Sequence, residues 1–283
     1  MTKQTSRRSF LSAAAGAAGL GALGVEPSSG AIEAMPWGIK LGVATYSLRN
    51  FDRAKTIEMI KALQVPWVSI KEVHLLQKGT PAEWQAGRKE FEDAGLKIMS
   101  GGNVDMTKDA SINDMRHHFE YAKHAGIPMM VCAPSKETLP WAEAMVKEYN
   151  IRLAIHNHGP GDKHFPTPQS VLDAVKPLDK RIGLCMDVGH TARIGVDPVK
   201  AIALAGDRLF DMHVKDLKDF STNAQQVDVG DGAMPFPAIF KALKKMNYQG
   251  CVNLEYEINV KDPMPGMYRS YSYLRGVLAG LAG

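Results

Sequence analysis

Four side chains with the chemistry of metal ligands, His156, Asp187, His213 and Glu255, stand at or near the ends of four short apolar runs. The runs are Ile151 to His156, Ile182 to Asp187, Leu209 to His213 and Cys251 to Glu255, each about strand length and each delivering its polar side chain late. Two imidazoles and two carboxylates, with positions left for water or substrate, suit one divalent ion. Mn²⁺, Co²⁺, Zn²⁺ and Fe²⁺ fit this donor set, and Mg²⁺ fits it less well because it prefers an all-oxygen shell. A lone histidine or aspartate at a strand end is more often a hydrogen-bonded cap. The repetition at four successive runs is what argues for a site.

Strand alternation extends the list. His158 should face the same way as His156, and Glu257 the same way as Glu255, which makes His158 and Glu255 candidate acid/base groups and Glu257 a candidate substrate contact. Lys215, two residues past His213, should point inward beyond that ligand and is the stronger lysine candidate for a catalytic role, polarising a carbonyl. In the run from Val68 to His74, Glu72 and His74 share a face, and Lys71 points the other way unless the strand end bends. Lys71, Glu72 and His74 are candidate substrate contacts, able to polarise a carbonyl or hold an anionic group. His164 and Arg193, on predicted loops after the fifth and sixth runs, and Tyr46, near the end of the first, complete the candidate pocket. His117, His118 and His124 fall on a predicted helix and are expected at the surface.

Residues this far apart in sequence meet only if the fold brings strand ends together. Apolar runs begin near Ile39, Trp67, Leu96, Pro128, Ile151, Ile182, Leu209 and Cys251, and an amphipathic segment follows each of the eight. The helical segments are expected near 52–63, 81–94, 111–125, 135–149, 168–175, 198–205, 235–246 and 267–281. Several carry Pro in the first turn, and Gly often follows the last. Strict strand–helix alternation implies right-handed crossovers and a parallel sheet, and eight units in about 250 residues match a closed (β/α)₈ barrel. An open doubly wound sheet is the alternative. It would be expected to show a glycine-rich phosphate loop after its first strand, where this chain has Ala44-Thr-Tyr-Ser-Leu-Arg49. In a barrel all strands deliver their carboxyl ends to one mouth, so the four ligand-type residues converge.

Composition sets the outer bounds. With 45% hydrophobic and 23% charged residues among 283, the chain reads as an ordinary globular protein. A net charge of +4 arises from 34 basic and 30 acidic residues with no long run of either sign, which disfavours a nucleic-acid partner. Ser6-Arg-Arg-Ser-Phe-Leu11, an Ala/Gly/Leu stretch to about Val25 and Pro27-Ser-Ser-Gly-Ala31 resemble a twin-arginine export signal. Residues 1–34 are therefore read as signal and linker, residues 35–283 as the barrel, and the protein as periplasmic or secreted. No later stretch is apolar for the roughly 20 residues a membrane span needs. Cys132, Cys185 and Cys251, far apart and without CxxC spacing, read as small buried hydrophobes.

Cys185-Met-Asp-Val-Gly-His190, Phe210-Asp-Met-His-Val-Lys-Asp216, Gly230-Asp-Gly232 and Asn253-Leu-Glu255 after Tyr248-Gln-Gly250 resemble the sugar phosphate isomerase/epimerase family, the xylose isomerase-like barrels. The resemblance implies a divalent metal held by Asp187, His213 and Glu255, and it places His190 beside the substrate. One departure matters: the family's fifth strand usually ends in a glutamate that is both ligand and acid/base, whereas this chain has His156. Two carboxylates and two neutral imidazoles carry one negative charge fewer, so the ion should be the stronger Lewis acid, and the two-base epimerisation scheme loses a base. The resemblance implies an isomerase or epimerase acting on an unphosphorylated sugar or keto-sugar through an enediolate. A lyase cleaving 3-keto-glycosides by β-elimination is the alternative. A hydrolase with several metals, fed by His74, His156, His158, His190 and His213, and a non-catalytic sugar-binding subunit are further readings. The expected partner is a small carbohydrate, and a homo-oligomer is left open.

Overall fold

The computed structural model describes residues 36–283, so the twin-arginine segment lies outside the described residues. Eight strands close a parallel barrel: β1 (Lys40–Ala44), β2 (Trp67–Ile70), β3 (Lys97–Asp105), β4 (Met129–Ala133), β5 (Arg152–His156), β6 (Ile182–Asp187), β7 (Leu209–Val214) and β10 (Cys251–Leu254). Two further strands, β8 (Asp216–Leu217) and β9 (Gln226–Val227), pair antiparallel above β7 and belong to a separate two-stranded ribbon. The barrel order is β1-β10-β7-β6-β5-β4-β3-β2, with β1 parallel to both β2 and β10. Each predicted apolar run became a barrel strand starting within one residue of its expected position.

Helices follow the strands: α1 (Arg53–Ala62), α2 (Pro81–Asp93), α3 (Ile112–His124), α4 (Leu139–Tyr149), α5 (Pro168–Val175), α6 (Val188–Arg193), α7 (Pro198–Ala205), α8 (Phe236–Lys245) and α9 (Met264–Ala282). Local chemistry sets their starts. Thr80 and Glu83 form a reciprocal capping box ahead of Pro81, Thr167 accepts from Ser170 N–H ahead of Pro168, and Asp197 caps the helix that Pro198 opens. The short α6, between the predicted sixth strand and seventh helix, is absent from the expected list because six residues are too few to show a period. Its N-cap is Asp187 itself, whose Oδ1 accepts from His190 N–H at 2.8 Å.

Alternate residues of the strands divide two cores. Leu153, Ile155, Leu184 and Met186 join the large cluster between barrel and helices, while Met129, Val131, Ala154, Cys185 and Phe210 form a small separate one. Ala154 and Cys185 share the parity of His156 and Asp187 and Val131 pairs with Ala154, so these face the barrel axis, and a register shift before Asp211 lets Phe210 face it too. On the same inward face, Asp211 accepts from Ser100 Oγ at 2.6 Å and Asn253 Nδ2 at 2.7 Å. The three cysteines are buried and free, as the spacing implied. His117 is exposed on α3 and His118 pairs with Asp109 at 3.2 Å, so neither joins the barrel interior. His124, half-buried on the same helix, stacks on Trp84 with ring centroids 6.1 Å apart. No helix among the described residues is long and apolar enough to cross a membrane.

Candidate functional site

The carboxyl ends of β5, β6, β7 and β10 bring the four ligand-type residues together. Asp187 pairs with His213 across β6 and β7, and His156 pairs with Cys185 across β5 and β6. Glu255 follows the last residue of β10, and its N–H donates to Val214 O at 2.9 Å, carrying the barrel register one step further. One ligand-type atom from each of the four lies within 4.8 Å of the other three. All four residues are buried, Asp187 completely.

The two imidazoles lack the partners that a hydrogen-bonded cluster would give them. Both ring nitrogens of His156 and both of His213 are buried with no hydrogen-bond partner, and buried Asp187 Oδ2 is paired with the Lys215 ammonium 3.1 Å away. His156 Nε2 nevertheless stands 3.6 Å from Asp187 Oδ2, and His213 Nδ1 stands 3.3 Å from Glu255 Oε1. Leaving a buried polar atom unpaired costs about 1–3 kcal/mol, so native interiors rarely do it. Four such atoms on two imidazoles, beside two carboxylates, fit a divalent ion whose bonds would supply the missing partners.

A buried cation already shares the site. Lys215 Nζ lies 2.8 Å from Glu255 Oε2 and 3.1 Å from Asp187 Oδ2, and it also donates to Glu257. Burial alone would strip its charge, but Asp187, Glu255 and Glu257 hold it protonated well above the ordinary lysine range. In return, burial would raise Asp187 and Glu255, and the ammonium outweighs it, holding both well below the usual carboxylate range. A lysine held this way orients carboxylates and donates hydrogen bonds but does not abstract protons. Gly189 makes the approach possible, because a Cβ there would fall 2.6 Å from Lys215 Cγ.

A cavity of about 180 Å³ opens on this cluster. From the end of β5, the loop after it and α6 come His156, His158 and His190; from just past β10 come Glu255 and Glu257; from just past β1 and β2 and from within β3 come Tyr46, Lys71, Gly102 and Asn103. The rings of His158 and His190 are 4.6 Å apart. Burial, with Lys215, His156 and His158 adding to it against the pull of Asp187, lowers His190 to about 4. It is therefore a neutral imidazole and a weak proton acceptor, suited to hydrogen-bonding a hydroxyl. Asn157 fastens this wall: its Oδ1 accepts from Asp187 N–H at 3.1 Å and its Nδ2 donates to Thr191 Oγ1 at 3.1 Å.

The structure corrects several expected substrate contacts. β2 ends at Ile70 and the chain turns there, with His74 N–H donating to Lys71 O at 3.0 Å, so alternation does not continue to residue 74. Lys71 is the residue that enters the mouth, its Nζ donating to Asn103 O at 3.2 Å and lying 5.7 Å from the Tyr46 ring centre. Glu72 is exposed, 3.8 Å from Lys71, and does not line the cavity. His74 is buried elsewhere, its Nδ1 2.9 Å from Thr45 Oγ1 and its Nε2 2.9 Å from Thr56 Oγ1 and facing the Leu48 and Phe51 carbonyls. This removes His74 from any multi-histidine metal cluster.

His164 lies on a half-exposed loop held by Asp162 and does not line the cavity. Arg193 is on α6, not a loop, and its guanidinium donates twice to Ala224 O at 3.0 and 3.1 Å, anchoring the segment before β9. Sequence reasoning missed Gly102 and Asn103. Gly101-Gly-Asn103 reads as a turn, yet it lies within the nine-residue β3. Gly102 has φ +134°, and a Cβ there would strike Val131 O at 1.9 Å, so only glycine lets β3 pass. Asn103 Oδ1 is buried without a partner.

The chain is similar to known proteins over this barrel. It is 30% identical over 142 residues to the rhizopine catabolism protein MocC of Rhizobium meliloti, covering 45% of this chain and 43% of that protein. It is 26% identical over 152 residues to the inosose dehydratase of Mesomycoplasma hyopneumoniae (strain 7448), covering 47% and 50%. The matches thus span about half the length of these relatives. Among solved structures, the IolI protein with a bound zinc atom superimposes with a TM-score of 0.71 at 16% identity, over 86% of this chain and 99% of that one, which shows a shared fold. The family model for the xylose isomerase-like TIM barrel matches residues 51–275, and the chain belongs to that family.

Proposed function

We propose that this protein is a divalent-metal-dependent enzyme that removes a proton beside the carbonyl of an unphosphorylated sugar or keto-sugar and passes through an enediolate. The observation that carries the reading is the set of buried, unpartnered ring nitrogens on His156 and His213, closed by the carboxylates of Asp187 and Glu255, beside a polar cavity. When bound there, a divalent ion would supply Lewis acidity to a substrate's carbonyl and neighbouring hydroxyl oxygens. The IolI structure, which shares the fold, carries a bound zinc atom, and that supports a metal in this barrel.

The chain's own groups divide the remaining work. His158, on one wall beside the neutral His190, can take or return a proton; Glu257 on another wall can do the same when Lys215 orients it. Lys71 and Asn103 offer a donor and an unpartnered acceptor to substrate hydroxyls. Lys71 is the one lysine of the lining, against two glutamates, which suits a neutral sugar better than a phosphorylated one. The volume, below the roughly 300–1,000 Å³ of pockets for drug-sized ligands, suits a small substrate.

Proton-transfer groups on two walls favour isomerisation or epimerisation even though strand five ends in His156. Elimination is the second reading. It needs one base and a leaving group, it tolerates the missing strand-five glutamate, and it is the chemistry in the name of the inosose dehydratase relative. Export through the twin-arginine route, a further part of the proposal, would place either activity outside the cytoplasm. Incubation of the Mn²⁺- or Co²⁺-loaded protein with sugars and 3-keto-glycosides in D₂O separates the outcomes by mass spectrometry. Deuterium at carbon without fragmentation marks isomerisation or epimerisation, and a released aglycone or a dehydrated product marks the lyase. No exchange and no product with any panel member would contradict the proposal.

A further inference from the structure

Cys185 lies one step below the ligand set. It shares the inward face of β6 with Asp187, two residues and so about 6.6 Å along the strand. Its Sγ, one ring nitrogen of His156 and one of His213 lie within 4.8 Å of one another, and all three residues are buried. Neither imidazole has a hydrogen-bond partner at either nitrogen. The two unpartnered histidines therefore have two sets of partners for an ion: the carboxylates of Asp187 and Glu255 above and a thiol below.

We propose that soft, thiophilic divalent ions such as Cd²⁺ bind to His156, Cys185 and His213, deeper in the barrel than the position that Mn²⁺ takes with Asp187 and Glu255. Ligand softness drives the choice, since thiolate with imidazole selects soft ions and carboxylate selects hard ones. A metal–sulfur bond forms as the thiol proton leaves to solvent. In a tetrahedral zinc site, neighbouring donor atoms stand about 3.3–3.8 Å apart, so donors already within 4.8 Å close on an ion with shifts of about an ångström. Both sets use the same two histidines, so a single ion occupies one position or the other. Cys185 does not line the cavity. An ion held there is withdrawn from substrate, and soft metals act as competitive inhibitors of the working ion.

This inference rests on His156 and His213 being metal ligands, as proposed above. The test titrates metal-free wild-type protein and Cys185→Ser with Cd²⁺ and, separately, with Mn²⁺, following sulfur-to-cadmium charge-transfer absorption in the near ultraviolet and bound metal after desalting. The expected result is one Cd²⁺ per wild-type chain with the absorption band present. In Cys185→Ser the band should vanish and Cd²⁺ should bind at least about 10-fold more weakly, while Mn²⁺ affinity changes by less than about 2-fold. Cys185→Ala serves if the serine chain does not fold. Cd²⁺ bound without the band, a band that persists in the variant through Cys132 or Cys251, or equal weakening of both ions would overturn the inference alone. A wild-type chain that binds neither ion would overturn the ligand assignment with it.

Discussion

Two buried histidines near strand ends, His74 after β2 and His156 at the end of β5, come from the same kind of sequence context and differ in one physical respect. At His74 the ring nitrogens meet two threonine hydroxyls and two backbone carbonyls. At His156 both nitrogens are buried and unpartnered, and the facing His213 is in the same state. A protein interior completes its polar contacts where the role is structural. It leaves them open where something else completes them. The inward-facing Asp211, with Ser100, Asn253 and its own neighbour's N–H all donating to it, belongs with His74 on the satisfied side of that line.

The largest effect expected from breaking the contrast is at Lys215. Lys215→Met leaves Asp187, Glu255 and Glu257 buried or half-buried beside one another without their cation, at a cost of roughly 3–5 kcal/mol in the metal-free chain. Added Mn²⁺ should recover most of that loss, measured as a wider gap in Tm between metal-free and loaded protein than in wild type. An unchanged gap would argue against an ion among these carboxylates.

His156→Ala should lower metal affinity by more than about 100-fold and abolish turnover, while the metal-free chain loses no more than about 1 kcal/mol, because the removed ring made no hydrogen bond. His74→Ala should do the opposite, costing about 1–3 kcal/mol in denaturant unfolding with metal content unchanged. If both variants lost metal, or both lost only stability, the comparison would fail.

A smaller effect sharpens it further. Burial lowers the His74 pKa below its ordinary value despite the Phe51 and Leu48 carbonyls, so the unfolded chain takes up a proton there before the folded chain does. That contribution to stability is complete above the unfolded value of about 6.5 and declines as pH falls below it. His74→Gln, which stays neutral, should therefore lose less stability between about pH 7 and 5 than wild type. An equal or steeper loss in the variant would show that His74 is not held neutral.

The barrel was legible in the sequence because short, largely apolar runs alternate eight times with longer amphipathic segments, and the four candidate ligand positions because a polar residue of ligand type stands at or near the end of four of those runs. His158, Glu257 and Lys215 followed from alternation and do face the site. Alternation failed at His74 and Lys71 because it was carried past Ile70, where β2 stops and the chain turns. Asn103 was hidden for the converse reason, since two glycines that would ordinarily signal a turn are here what lets β3 continue past β4. Arg193 and α6 escaped because one and a half turns of helix carry no readable period.

The most direct test is anomalous diffraction from crystals soaked in Mn²⁺. The account predicts one strong anomalous peak per chain, about 2.0–2.3 Å from a donor atom on each of His156, Asp187, His213 and Glu255. A peak elsewhere, or an ordered mouth with no peak and with those imidazole nitrogens hydrogen-bonded to water, would contradict it.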